Sequence, residues 1–269
     1  MGEIIGVISI KGGVGKTTTV VNLATVLTKE FGKKVLIVDA NFSAPNLGLH
    51  LGIIQPEQTI HDVLLDKIGI EHAIIEHKIG FHVIPASLTN KPVRTYKLKQ
   101  KLAPLKEHYD TIIIDSSPNL NDEILATMTA SDKLLVVTSP DYPTLSCTMH
   151  AVKVAKDRNT PITGLILNKV HNKEFELTIE EIEDATNVPV IASIPDDIKV
   201  LEALSKTTPA AEHNPKRDVA IEYTQLAASI IGIKYNDTRV FANIKKYFSK
   251  DLNKIDINRT LLREGKQQN

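Results

Sequence analysis

Short runs of apolar, often β-branched residues recur at Ile4–Ile10, Val35–Val38, Phe81–Pro85, Ile112–Ile114, Leu134–Thr138, Ile162–Leu167 and Val190–Ile194. The runs are continuous rather than strictly alternating. That pattern suits strands covered on both faces, as in a parallel sheet. The intervening segments Thr17–Glu30, Arg94–Lys106, Leu145–Lys156 and Leu177–Asp184 have the length of crossover helices. Strands that alternate with helices predict βαβ units. The expected fold is α/β: a mostly parallel, twisted sheet of about seven or eight strands with helices on both faces. No Gly/Ser-rich or Pro-rich linker divides the chain, and no internal repeat is visible. One domain is expected over residues 1–233, then an appended tail over 234–269.

A length of 269 residues and an apolar content of 42% suffice for one sizeable core. The formal net charge is zero, which argues against a basic surface spread over the whole domain for nucleic acid. The charge is unevenly placed. Residues 234–269 carry nine Lys/Arg and four Asp/Glu, leaving 23 and 28 for the remainder. A basic tail on a mildly acidic body suggests an anionic partner for the tail, or a solvated terminal segment. Cys147 is the single cysteine, so no disulfide or cysteine-based metal site can form within one chain. His50, His61, His72, His77 and His82 show no metal-ligand geometry readable from spacing. No leader is visible, and no apolar run nears the ~18 residues of a membrane span. The expected location is the cytoplasm.

The chemistry begins directly after the first run, with Lys11-Gly12-Gly13-Val14-Gly15-Lys16-Thr17-Thr18. A glycine-rich turn, a lysine and a hydroxyl at a helix start are what a nucleoside triphosphate requires. Backbone N–H groups along Gly12–Thr18 cradle phosphates, Lys16 neutralises their charge, and the Thr17 hydroxyl reaches Mg²⁺. The pattern is not the dinucleotide fingerprint, which would need glycine at Thr18. It also lacks the first glycine of the ordinary phosphate loop, since Ile10 stands there.

Ligands of open α/β sheets bind outside the carboxyl ends of the strands. Asp39-Ala40-Asn41 follows the second run and leads into Phe42-Ser43-Ala44-Pro45-Asn46. A carboxylate there helps place Mg²⁺ and water opposite the phosphates. Asp115-Ser116-Ser117-Pro118 follows the Ile112–Ile114 run, the usual place for a second Mg²⁺ support. Either aspartate alone reads equally well as a helix cap or turn residue; the pair, in one sheet with the glycine loop, points to Mg²⁺. Asn168-Lys169-Val170-His171 is similar to a guanine-reading segment, but His171 replaces the acid that would pair with guanine. That favours adenine. Pro195-Asp196-Asp197 could close over the base, and turn chemistry explains it about as well.

Lys11 and the rest of the glycine segment together resemble the deviant Walker A motif of the MinD/ParA ATPases. The similarity continues through Asp39–Gly52, Ile112–Pro118, Thr138–Asp141, Asn168 and Ile194–Asp197. It covers about Met1 to Ile231 and is nearest to MinD-like, archaeal relatives by Asp39-Ala40-Asn41 and Pro45-Asn46-Leu47-Gly48. The resemblance implies a P-loop NTPase fold, ATP/ADP and Mg²⁺ as cofactors, and a homodimer with ATP sandwiched between subunits. Lys11 would reach the partner's phosphates, while Lys16 and Thr17 would serve the nucleotide in cis. Asp39 and Asp115 would support Mg²⁺ and the switch regions. Asn168, Pro195 and Asp197 would face adenine.

Two positions depart from that family. An Asp-x-Asp is usual after the second strand; here the second acid is Asn41, which can orient water but cannot accept its proton, so slow hydrolysis is expected. Bacterial MinD ends in a membrane-binding amphipathic helix. Here Val240, Phe241, Ile244, Tyr247, Phe248, Leu252 and Ile255 fall on one helical face, with Lys245, Lys246, Lys250 and Lys254 around them. Residues 239–255 therefore either lie on a membrane surface, making the protein peripheral, or dock on the domain. The function implied is a slow ATPase that acts as a spatial-positioning switch in cell division or the placement of cellular machinery, with an unidentified activating protein. The alternative is DNA partitioning through ATP-dependent, non-specific DNA binding. An iron–sulfur carrier fits poorly with one cysteine, and an amidoligase would need a substrate domain not visible here.

Overall fold

The computed structural model describes residues 1–89, 92–235, 237, 239 and 250–267. Eight strands form one sheet: β1 (Glu3–Ile8), β2 (Val35–Ala40), β3 (Ile75–Glu76), β4 (His82–Ile84), β5 (Thr111–Ser116), β6 (Lys133–Thr138), β7 (Ile162–Val170) and β8 (Val190–Pro195). Their order is β3-β4-β2-β5-β1-β6-β7-β8. Every pairing is parallel except that of β3 with β4. The seven apolar runs are seven of these strands. β3 has only two residues, too few to carry a periodic signal.

The helices are α1 (Lys16–Lys29), α2 (Leu47–His50), α3 (Ile60–Leu64), α4 (Leu98–Leu102), α5 (Asp122–Ala130), α6 (Tyr142–Asp157), α7 (Ile179–Thr186), α8 (Ile198–Ser205), α9 (Ala210–His213), α10 (Asp218–Ile230) and α11 (Lys250–Gln267). They cover both sheet faces. Ile113, Leu135, Val137 and Ile166 point to the face that packs α1 and α10. Their chain neighbours Ile112, Ile114, Leu134, Val136, Leu165 and Leu167 point to the opposite face. Both faces are therefore buried, which is why the runs do not alternate. The segment Arg94–Lys106, expected as one helix, is broken. α4 is flanked by 3₁₀ turns, and Pro104 stands at the start of the second, where its missing N–H and ring end the α-helical ladder. α6 begins earlier than its apolar pattern because Asp141 caps it, accepting the Thr144 N–H at 2.9 Å.

Within the tail, Lys250–Gln267 is helical and lies against β8 and α10. β8 is an edge strand, and α11 covers its free carbonyls with side-chain donors. Asn258 donates to Val190 O at 2.9 Å, and Arg259 Nε donates to Ile191 O at 2.7 Å. Arg259 is 3% exposed and also donates to Glu222 Oε2 at 2.9 Å and to Gln225. Ile255 is buried in the core, and Lys254 pairs with Glu183 at 3.0 Å. Of the expected amphipathic face, Val240, Phe241, Ile244, Tyr247 and Phe248 lie outside the described residues, as do Lys245, Lys246 and the side chains of Lys250 and Leu252.

Arg259→Met leaves Glu222 short of a buried partner and two acceptors without their donor. The expected docking loss is about 3 kcal/mol, read as tryptic cleavage within α11 accelerated by one to two orders of magnitude. A cleavage rate equal to wild type would contradict the role given to Arg259.

Candidate functional site

β1, β5 and β2 are neighbours, so their carboxyl ends bring three loops to one end of the sheet. The loop after β1 reaches α1 through Gly13 (φ 78°) and Gly15 (φ 97°), in the left-handed region that only glycine enters freely. At Gly15 space is the second constraint: a Cβ would stand 2.1 Å from Asn168 Nδ2. Asn168 lies in β7 and donates from Nδ2 to the Val14 carbonyl at 2.7 Å. It therefore props the glycine loop from below, a support invisible in the sequence.

Gly15 caps α1 with no side-chain acceptor, and the first turn holds no acidic residue. The free N–H groups and the helix dipole favour an anion there. Gly12 and Gly13 are exposed, Val14 packs into the core, and Thr17 and Thr18 are half-buried. Lys16 is buried, and burial lowers its pKa while the charge of Asp115 raises it. A buried ammonium gains most from an anion placed against it. Lys11 is exposed and interacts electrostatically with Asp141.

Asp39 and Asp115 sit inside the ends of β2 and β5 rather than beyond them, and the register pairs them directly. They are 0% and 1% exposed. Burial, then the charge of Asp115, pushes the Asp39 carboxyl well above the usual range, against backbone N–H bonds that lower it. Burial likewise pushes Asp115 up to about 6, against the Thr17 hydroxyl and the Lys16 charge. The Thr17 hydroxyl donates to Asp115 Oδ2 at 2.7 Å. Asp115 Oδ1 is buried with no hydrogen-bond partner. A hydroxyl oxygen beside an orphaned carboxylate oxygen is an oxygen donor set that fits Mg²⁺. Among the described residues no three His, Cys, Asp or Glu gather as a metal cluster.

The loop after β2 is held from several sides. Asp39 accepts the N–H groups of Asn41 and Leu47, each at 3.1 Å. His61 Nε2 meets the Phe42 carbonyl at 3.2 Å while its Nδ1 accepts the Ser87 N–H at 3.1 Å. Glu123 accepts the Ser43 N–H at 3.0 Å. Asn41 is 6% exposed; its amide nitrogen donates to the Ala44 carbonyl, leaving Oδ1 buried and unpartnered. Sequence reasoning missed Glu123 and gave His61 no role. Asn121, which caps α5 by accepting the Glu123 and Ile124 N–H groups at 3.2 Å, was the available signal that a helix begins there.

On the far side, Pro195 ends β8 and pairs in register with Val170. Asp197 caps α8 through the Lys199 N–H at 2.9 Å and receives Arg217 in a bidentate pair at 3.0 and 2.9 Å. That turn is thus held rigid by its own acid. Two clefts, beside Lys106–Asp110 and beside Asn159–Ile162, lie at the amino ends of the strands and hold none of these residues.

Comparison with known proteins gives one consistent picture. The family model described as an AAA domain matches residues 2–163. An uncharacterised ATP-binding protein of Methanocaldococcus jannaschii is 36% identical over 86% of this chain and 88% of its own. The solved structure of the septum site-determining protein MinD from Pyrococcus horikoshii, complexed with Mg-ADP, is 32% identical over 86% of this chain and 96% of that one, with a TM-score of 0.80. A MinC:MinD cell division complex from Aquifex aeolicus is 25% identical over 88% and 99%, with a TM-score of 0.79.

The folded, ligand-free chain holds the protons of Asp39 and Asp115 more tightly than the unfolded chain. That stability is complete below the unfolded carboxylate range and is lost as pH rises through the folded value, about 6 for Asp115. Asp115→Asn removes the ionisation, so the variant should melt higher than wild type at pH 7.5 by about 4 °C. The gap should close as pH falls toward 4. Differential scanning fluorimetry without nucleotide reads it, and a variant melting lower at pH 7.5 would contradict the argument.

Proposed function

The chain belongs to the MinD/ParA family of P-loop ATPases, and from that premise we propose that it binds ATP and ADP with Mg²⁺, hydrolyses ATP slowly, and dimerises with ATP between two subunits as a positional switch. The observation that carries this reading is the buried set of Lys16, Asp39 and Asp115, with the half-buried Thr17 bonded to Asp115, beneath an open glycine loop and with Asp115 Oδ1 unpartnered.

Thr17 and Asp115 would hold Mg²⁺, directly or through water, and Asp39 would support it. When bound, the ion supplies positive charge to phosphate oxygens. The N–H groups from Gly12 to Thr18 hold the phosphates in place, and Lys16 balances their charge. Asn41 Oδ1 is a buried acceptor without a partner; it would orient a water admitted beside it, but the amide cannot take the proton. That supports slow turnover. Lys11 is exposed and outside the buried set. Its ammonium is therefore free to act on a second subunit's phosphates, adding charge stabilisation in trans as an arginine finger does. Asn168, which holds the loop by Val14, and the Pro195–Asp197 turn would face adenine.

The MinD relatives in complexes with Mg-ADP and with MinC lend support to a nucleotide-dependent assembly role. Among the described residues no helix is long and apolar enough to cross a membrane. Ile255, on the face considered for membrane binding, is buried against the domain.

Gel filtration of the full chain with ATP and Mg²⁺ should show a dimer, and Lys11→Ala and Lys16→Ala should each remove it. Lys16→Ala should also weaken nucleotide binding by about tenfold or more, whereas Lys11→Ala should leave it near wild type. A wild-type chain that stays monomeric with ATP would overturn the dimer reading.

A further inference from the structure

Glu123 stands in the first turn of α5, on the segment that follows β5 and Asp115. Its Oε1 accepts the Ser43 N–H at 3.0 Å, and its Oε2 accepts the Ser43 hydroxyl at 3.3 Å. Ser43 lies two residues beyond Asn41, in the loop after β2. The other restraints on this loop come from elsewhere: Asp39 at its root, His61 on the Phe42 carbonyl, and the Asn41 and Asn46 amides on the Ala44 carbonyl. Glu123 ties it to the loop after β5. Ser43 is exposed and Glu123 half-buried, and both bonds lie at the surface, so each carries a small net energy and the clamp opens readily.

We propose that Glu123 is a positioning residue for Asn41: through Ser43 it holds the loop after β2 against α5, so that the Asn41 carbonyl oxygen keeps the direction in which it orients water. The proposal rests on the ATPase reading above. Asn41 Oδ1 has no partner of its own, so its direction depends wholly on how the backbone beneath it is held. The amide nitrogen points Oδ1 by bonding to Ala44, and Ala44 follows Ser43 directly. A loosened Ser43 therefore moves the anchor of the Asn41 amide. The hydrogen bonds of the Glu123 carboxylate go to Ser43 and not to the glycine loop, Lys16 or Thr17, which would keep their hold on the nucleotide.

The separation of turnover from binding is the measurable consequence. The full chain is compared with Glu123→Ala and Glu123→Gln, using ATP and Mg²⁺. Glu123→Ala should lower kcat about five- to tenfold while KM and the Kd for ATP stay within about twofold. Glu123→Gln keeps an amide oxygen that accepts the Ser43 N–H, and should retain kcat within about threefold. In the nucleotide-free chain, backbone amide exchange across residues 41–47 should rise about tenfold in Glu123→Ala and stay near wild type in Glu123→Gln. An unchanged kcat in Glu123→Ala, or parallel losses of kcat and affinity, overturns the positioning role. Unchanged exchange overturns the clamp itself, whatever the activity. A wild-type chain without ATPase activity sinks the ATPase reading instead, and the exchange arm then decides the clamp alone.

Discussion

Two carboxylates buried side by side, Asp39 and Asp115, set the terms for the rest of this site. The parallel register of β2 with β5 places them opposite each other and away from water. Their proton affinity rises because burial leaves their charged forms poorly solvated, and for Asp39 the charge of Asp115 adds to this. Asp39 recovers part of that cost from two loop N–H groups. Asp115 recovers part from the Thr17 hydroxyl on Oδ2 and the Lys16 charge, and has no partner on Oδ1. The deficit is one that a cation and phosphate oxygens relieve, so the destabilising feature and the binding feature are the same atoms.

Stability is supplied elsewhere. α1 is fastened to its neighbours below the glycine loop: Asn22 accepts the Ala211 N–H at 2.7 Å, and Thr19 meets the Tyr223 hydroxyl at 3.3 Å. Tyr223 belongs to α10, whose Glu222 and Gln225 receive Arg259 of α11. A rigid block thus runs from the phosphate-facing helix to the far edge of the sheet. Between the loop after β2 and the start of α5, by contrast, the Ser43–Glu123 contact is open to solvent. Parts of a site that must respond to a ligand belong at this low-stability end.

Much of this was legible beforehand. The seven main strands showed because each had to be apolar on both faces. The glycine loop showed because left-handed backbone and close approach demand glycine, and Lys16 and Thr17 showed because phosphate and Mg²⁺ demand their charge and oxygen. The break at Pro104 was readable in principle and outweighed by the surrounding apolar spacing. Helix α5 was announced only by the Asn121 cap, and β3 by nothing. Polar residues whose partners lie far along the chain were silent: Asn22 with Ala211, His61 with Phe42 and Ser87, Glu123 with Ser43, and Arg259 with Glu222.

By itself the sequence determined the α/β class, the phosphate loop, and the candidate pair of aspartates, because each rests on local backbone conformation, periodicity or the chemistry of a single side chain. Only the tertiary structure decided that Asp39 and Asp115 share one register position, that Asn168 holds the glycine loop by Val14, and that α11 lies on the β8 edge. Those are contacts between residues far apart along the chain. Their energies depend on distance and burial in the folded state, which no local pattern encodes.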